Sequence, residues 1–171
     1  LRKMENHVIL CGYGRVGQEI SNQIKTQNIP IIVVESDEDR KKIAEENGLE
    51  VLCADATLDE TLKLAGLEKC KSLVVTLPND AANLYVVLSA KGIRSSIRVI
   101  ARAGTEEAAS KLRLAGASIV VSPYIAAGRA MASMALRPIA IDFLDLLAGS
   151  ECEIEEFELS NDISLFETAE K

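Results

Sequence analysis

Gly12-Tyr13-Gly14-Arg15-Val16-Gly17 has the residue types and spacing of a phosphate cradle. In a G-x-G-x-x-G that follows an apolar run and opens a helical pattern, each glycine has its own duty. Gly12 permits the tight turn, Gly14 lets backbone approach a pyrophosphate, and Gly17 lets helix and strand pack closely. The helix beginning there offers unpaired N–H groups and the positive end of its dipole to an anion. Arg15 is the loop's only cation, placed to reach a phosphate of its own ligand or of a neighbouring copy, unless it is simply solvated. Glu35 stands 18 residues past Gly17 at the end of the second apolar run, followed by Ser36. A carboxylate there accepts hydrogen bonds from the adenosine ribose hydroxyls and disfavours a 2′-phosphate.

Asp55-Ala56-Thr57 and Thr76-Leu77-Pro78-Asn79-Asp80 follow the third and fourth apolar runs, at the carboxyl edge where open α/β sheets bind ligands. Helix capping is the competing use, by Thr57 or Asp59 for one helix and by Asp80 for the next. NAD(H), AMP, ADP and ATP all present a ribose to Glu35 and phosphate to the glycine loop, so the expected ligand is one of these. Glu35→Ala is expected to weaken binding with little loss of fold.

Bond-making chemistry has little to work with. A dehydrogenase would use the same loop and Glu35, but it also needs an acid or base at a substrate site. The only histidine, His7, precedes the first strand on the opposite edge of the sheet. A G-x-x-x-x-G-K-[ST] loop for nucleoside triphosphate hydrolysis is absent. Cys11, Cys53, Cys70 and Cys152 form no C-x-x-C pair and have no histidine at metal spacing, so they are expected to be reduced, small and hydrophobic. Neither catalysis nor metal binding is expected. The rival to a binding role is a dimerisation module with an empty pocket.

These residues must be positioned by the elements around them. Apolar runs at 7–11, 31–35, 51–54, 72–76, 97–101 and 118–121 read as strands, with helical patterns between. Val16, Ile20 and Ile24 recur at helical spacing, so one stripe of the first helix faces the sheet. Ser36 with Asp39 resembles a capping box for a helix over 37–47 closed by Gly48, and Gly66, Gly92 and Gly116 punctuate the next three helices. The expected fold is α/β: a doubly wound, six-stranded parallel Rossmann sheet spanning 7–123.

After Pro123 the pattern changes. Residues 124–136 form a helix apolar on nearly every side except at Arg129, which must bury itself on its own sheet or, the favoured reading, on a second subunit. A short amphipathic helix over 139–147 extends that contact, making 124–149 a crossover and dimer segment. Residues 151–159 alternate apolar and acidic positions as a bulged edge strand would, so 150–171 reads as the start of a truncated C-terminal lobe.

Composition narrows the partners. The chain has 171 residues, 48% hydrophobic and 26% charged, with only 4% aromatic and no Trp, as expected of one globular domain with an aliphatic core. Its net charge of -7 argues against nucleic-acid binding. No apolar stretch reaches the ~20 residues of a membrane span, and the domain is expected to be soluble. The chain begins at Leu1, so it reads as a piece of a longer protein whose other part holds the membrane segment.

In this order, HVILCGYGRVG, VVESD, CADAT, TLPNDAANLYVVLSAK, VIARA, KLRLAGASIVVSPY and the GRAMA…LRPIAIDFLD tail resemble the RCK domain, the regulator of potassium conductance, also called the TrkA N-terminal or KTN domain. The likeness runs from about residue 7 to 147. It implies a nucleotide-sensing domain on the cytoplasmic face of the membrane, paired as a homodimer and assembled in rings. Such rings gate a linked or associated potassium pore, or regulate a transporter or antiporter. Residues 1–6 resemble the linker by which pore-linked members enter the first strand. One departure stands out: calcium-gated members carry carboxylates at the ends of the fourth and fifth strands, where this chain has Thr76 and Arg102. Calcium activation there is not expected, and Arg102 is placed to face a ligand phosphate.

Overall fold

β-Branched residues crowd each other in a helix and fit a pleated sheet, and the strands are built from them. The computed structural model describes residues 4–136, with β1 Val8–Cys11, β2 Ile31–Glu35, β3 Glu50–Cys53, β4 Ser72–Val75, β5 Val99–Arg102 and β6 Ile119–Val121. Between them run α1 Arg15–Thr26, α2 Glu38–Glu46, α3 Asp59–Leu64, α4 Asp80–Ile93 and α5 Glu106–Leu114; α6 Pro123–Leu136 follows the last strand. The strands pair in parallel in the order β3-β2-β1-β4-β5-β6. This is the expected doubly wound sheet, and its order reverses between β1 and β4, where such sheets open a crevice.

The period of two along β1 splits the core. Ile9 and Cys11 face one layer with α3, α4 and α5, while Val8 and Leu10 face the other with α1 and α2. On the first helix Ile20 and Ile24 pack against that second layer, whereas Val16 stands a turn higher, at the sheet's edge. Burial of both faces also traps two thiols. It pushes Cys11 up to about 12 and Cys70 up to about 11, from an ordinary value of 9.0. In the unfolded chain these thiols ionise near 9, so their stabilising contribution is complete below that pH and is lost as the pH rises toward 11–12. Above pH 9, denaturant titrations should show wild type losing stability more steeply than Cys11→Ala/Cys70→Ala, by up to ~1.4 kcal/mol per pH unit for each thiol. Parallel slopes would refute this.

Several local expectations are corrected. Ser36 does not cap α2; Asp37 does, accepting from the Asp39 and Arg40 amides at 3.0 and 2.9 Å. Asn79, not Asp80, caps α4, and the Asp80 carboxylate instead accepts from the Gly104 amide at 2.8 Å. Neither Thr57 nor Asp59 caps α3, whose cap position is Leu58; Thr57 is turned back onto Asp55 Oδ1 by its amide and hydroxyl. Gly48, Gly66 and Gly116 close helices at φ +72, +83 and +100. Gly92 lies inside α4 instead, which runs on to Ile93.

The compact unit that carries the sheet extends to Arg129, and a second unit begins at Ala130. Over residues 123–129 no side chain is buried, so this part of α6 does not find its cover on its own sheet. The short helix expected at 139–147 and the strand expected at 151–159 lie outside the described residues, as do Cys152 and residues 1–3 of the expected linker. Among the described residues no helix is long and apolar enough to cross a membrane.

Candidate nucleotide site

At the carboxyl ends of β1, β2, β4 and β5 the chain leaves a cleft of about 610 Å³. Gly12, Gly14, Arg15, Val16, Glu35, Ser36, Thr76, Leu77 and Arg102 all line it. A smaller recess of about 260 Å³, lined also by Ser36 and Leu77, gathers Asp55, Ala56, Thr57 and Asn79. Thus the sheet brings nearly all the residues named from sequence to one edge. Asn79 and Thr57 reach that recess, although Asn79 Oδ1 is already engaged as a helix cap.

The glycine loop divides its labour in a way the structure makes explicit. Gly12 has φ +94, and a Cβ there would lie 3.1 Å from the Thr76 carbonyl oxygen. A Cβ on Gly17 would lie 2.2 Å from the Gly12 carbonyl oxygen. Both are therefore demanded by the fold. Gly14 is different: its φ of -73 and ψ of -170 suit any residue, and no atom lies within 4 Å of its Cβ direction. That space belongs to the cleft. Gly14 is also the N-cap of α1, and no side chain caps the helix, so its first-turn amides face the same opening.

Two residues of the glycine loop line neither the cleft nor the recess. Gly17 lies beneath the loop, and Tyr13 is fully buried in the core, its hydroxyl meeting Asn47 Nδ2 at 3.2 Å and Ser21 Oγ at 3.4 Å. Only the Tyr13 backbone serves the site, donating its amide to Glu35 Oε2 at 2.7 Å. The other Glu35 oxygen accepts from the Asp37 amide at 3.0 Å. Glu35 is thus the clasp between the glycine loop and the turn into α2, as well as a lining residue. A carboxylate has about four lone-pair sites; two are taken by backbone, which leaves capacity for two ribose hydroxyls.

This double duty changes the expected effect of mutation. Glu35 is 5% exposed, and Glu35→Ala strips two amides of their acceptor. The variant should lose about 1–3 kcal/mol of stability even without ligand, in place of the small loss the sequence suggests. Chemical denaturation of the ligand-free protein checks it; an unchanged midpoint would mean that water replaces the carboxylate fully.

Thr76 ties the other side, its hydroxyl 3.1 Å from both the Cys11 and Gly12 carbonyl oxygens. Sequence reasoning missed Gln18, Asp37, Arg40, Ile43 and Tyr124, all of which line the cleft. Arg40 had a legible signal. It sits on the first turn of α2, and its Nη1 lies 4.0 Å from Glu35 Oε2. Arg15, Arg40 and Arg102 make the rim cationic, while the carboxylates of Glu35 and Asp37 mark one end of it. An anion joined to a hydroxyl-bearing ring fits that division.

Residues 8–123 match the TrkA-N domain family. Potassium channel protein 1 of Methanocaldococcus jannaschii is 38% identical over 157 residues, covering 91% of this chain and 47% of its own. The chain therefore spans just under half of that relative. YbaL of Escherichia coli, a putative cation/proton antiporter, is 34% identical over 116 residues, 68% of this chain and 21% of its own. The crystal structure of its TrkA-N domain superposes with a TM-score of 0.72 at 31% identity, covering 77% of this chain and 97% of that one. The crystal structure of GsuK bound to ADP superposes with a TM-score of 0.67 at 29% identity, over 76% of this chain and 34% of that one.

Proposed function

The chain belongs to the TrkA-N domain family, and from that premise we propose that it is a nucleotide-sensing regulatory domain of a potassium channel. It binds an adenine nucleotide or NAD(H) without turning it over. The observation that carries this reading is the contrast at the glycine loop. Gly12 and Gly17 are held by the fold, while Gly14 presents an empty space, beside an uncapped helix and the Glu35 carboxylate. The ADP held by GsuK supports the ligand class, and the M. jannaschii channel supports the potassium pore as partner. A homodimer formed through α6, assembled further into a ring on the cytoplasmic face of the membrane, would cover the unburied residues of that helix.

A nucleotide can move a gate only by binding one arrangement of the assembled domains better than another. A coupling of about 1–3 kcal/mol per site, repeated round a ring, suffices for a switch. Calorimetry with AMP, ADP, ATP and NAD, followed by chromatography of the recovered nucleotide, should show binding and unchanged ligand. Single-channel recording of the longer protein should then show an open probability that depends on nucleotide. Saturated sites with a constant open probability would sink the sensor reading. Regulation of a cation/proton antiporter is the second reading, favoured by the close superposition on the YbaL domain; flux assays on the longer protein separate the two.

A further inference from the structure

Arg102 closes β5 at one end of the cleft, and its backbone is fixed. Asn83 is fully buried; its Nδ2 donates to the Arg102 carbonyl and to the Leu77 carbonyl, each at 3.0 Å, while its Oδ1 accepts from the Leu77 amide at 3.0 Å. The Arg102 guanidinium is not so fixed. Its carbon lies 5.4 Å from the centroid of the Tyr124 ring, and among the described residues no carboxylate forms an ion pair with it. Tyr124 stands in the first turn of α6, is 62% exposed, and lines the same cleft as Gly12, Gly14 and Arg15. A cation over an exposed ring is held weakly. A charge-assisted, two-pronged bond from guanidinium to phosphate is stronger and better directed.

We propose that Arg102 exchanges partners on ligand binding, leaving the Tyr124 ring for a phosphate oxygen and so releasing the first turn of α6. This rests on the nucleotide reading above and adds to it the route by which occupancy reaches α6. Tyr124 on this account is a competitor of the ligand for Arg102, which gives the inference an unusual sign. Removing the ring should improve binding.

Three variants test it, each first checked for native circular dichroism. Tyr124→Leu should bind ADP about 2- to 5-fold more tightly by calorimetry, the factor equivalent to an exposed cation–π contact. If the ring were an ordinary ligand contact, affinity would fall. Because the chain has no Trp, Tyr124→Trp installs a lone reporter whose emission should change saturably with ADP, at the midpoint calorimetry gives for that variant. Adding Arg102→Gln to that background should remove the emission change and weaken ADP binding about 10-fold, with binding still measurable at higher concentration. Weaker or unchanged affinity in Tyr124→Leu, or an emission change that survives Arg102→Gln, overturns the exchange and leaves the nucleotide reading standing. Absence of binding heat with every nucleotide overturns both.

Discussion

Gly17→Ala is expected to lose at least about 3 kcal/mol of folding stability, the top of the range for inserting a methyl group into a packed core. The added carbon would lie 2.2 Å from the Gly12 carbonyl oxygen and 3.2 Å from its carbon. Both atoms are backbone, so no side chain can swing aside. Either α1 lifts from the end of β1 or the turn at Gly12 opens. Opening that turn disturbs the Gly12 amide bond to the Val34 carbonyl and the Thr76 hydroxyl beneath the loop. Urea denaturation of the nucleotide-free protein measures the loss directly. A variant within ~1 kcal/mol of wild type would mean that the helix start is far more pliant than its packing indicates.

Gly14→Val should do the reverse, abolishing ligand binding while leaving the fold intact. The backbone at Gly14 is extended, a conformation that suits a β-branched residue, and no atom lies within 4 Å of the new Cβ. Valine caps a helix less well than glycine, so the unfolding midpoint should fall by only about 2–4 °C, the cost of a weakened N-cap. The branched side chain fills the space in front of the α1 amides, so affinity for ADP should fall at least ~100-fold, about 2.7 kcal/mol. Thermal shift gives a clean readout. Ligand at 100 times the wild-type Kd stabilises wild type by about 2.7 kcal/mol, and at the same concentration the variant should gain no more than about 0.4 kcal/mol. Persistent nucleotide-dependent stabilisation would place the ligand elsewhere.

The two glycines illustrate what sequence does and does not reveal. The motif marked both, together with the strand it follows and the helix it starts, because turn and packing demands are local. The fully apolar runs of β1 and β2 were legible for the same reason: a strand buried on both faces needs no alternation. Boundaries and caps were harder. β5 begins at Val99, because the Ile97 amide is spent in a turn to the Arg94 carbonyl. Asp37 displaced Ser36 as a cap, and Asn79 displaced Asp80, because neighbouring residues offer similar acceptors and the direction in which the chain leaves the strand selects between them. Adjacency to two loop glycines says nothing of which way the Tyr13 ring turns; the gap beside Ser21 and Asn47 decides that. Arg40 and Tyr124 reach the cleft from segments remote from the glycine motif. Glu35 is legible in the sequence as a candidate ribose acceptor, but its hold on two backbone amides is a three-dimensional fact.

On the proposed nucleotide reading one glycine of the loop answers to the ligand, whereas two answer to the backbone, so selection acts on them separately. A duplicated copy released from sensing is free to acquire a side chain at the position of Gly14, while drift at Gly12 and Gly17 is purged with or without nucleotide. On that reading, descendants that keep the outer glycines and lose the middle one retain the architecture and have gone deaf to the signal.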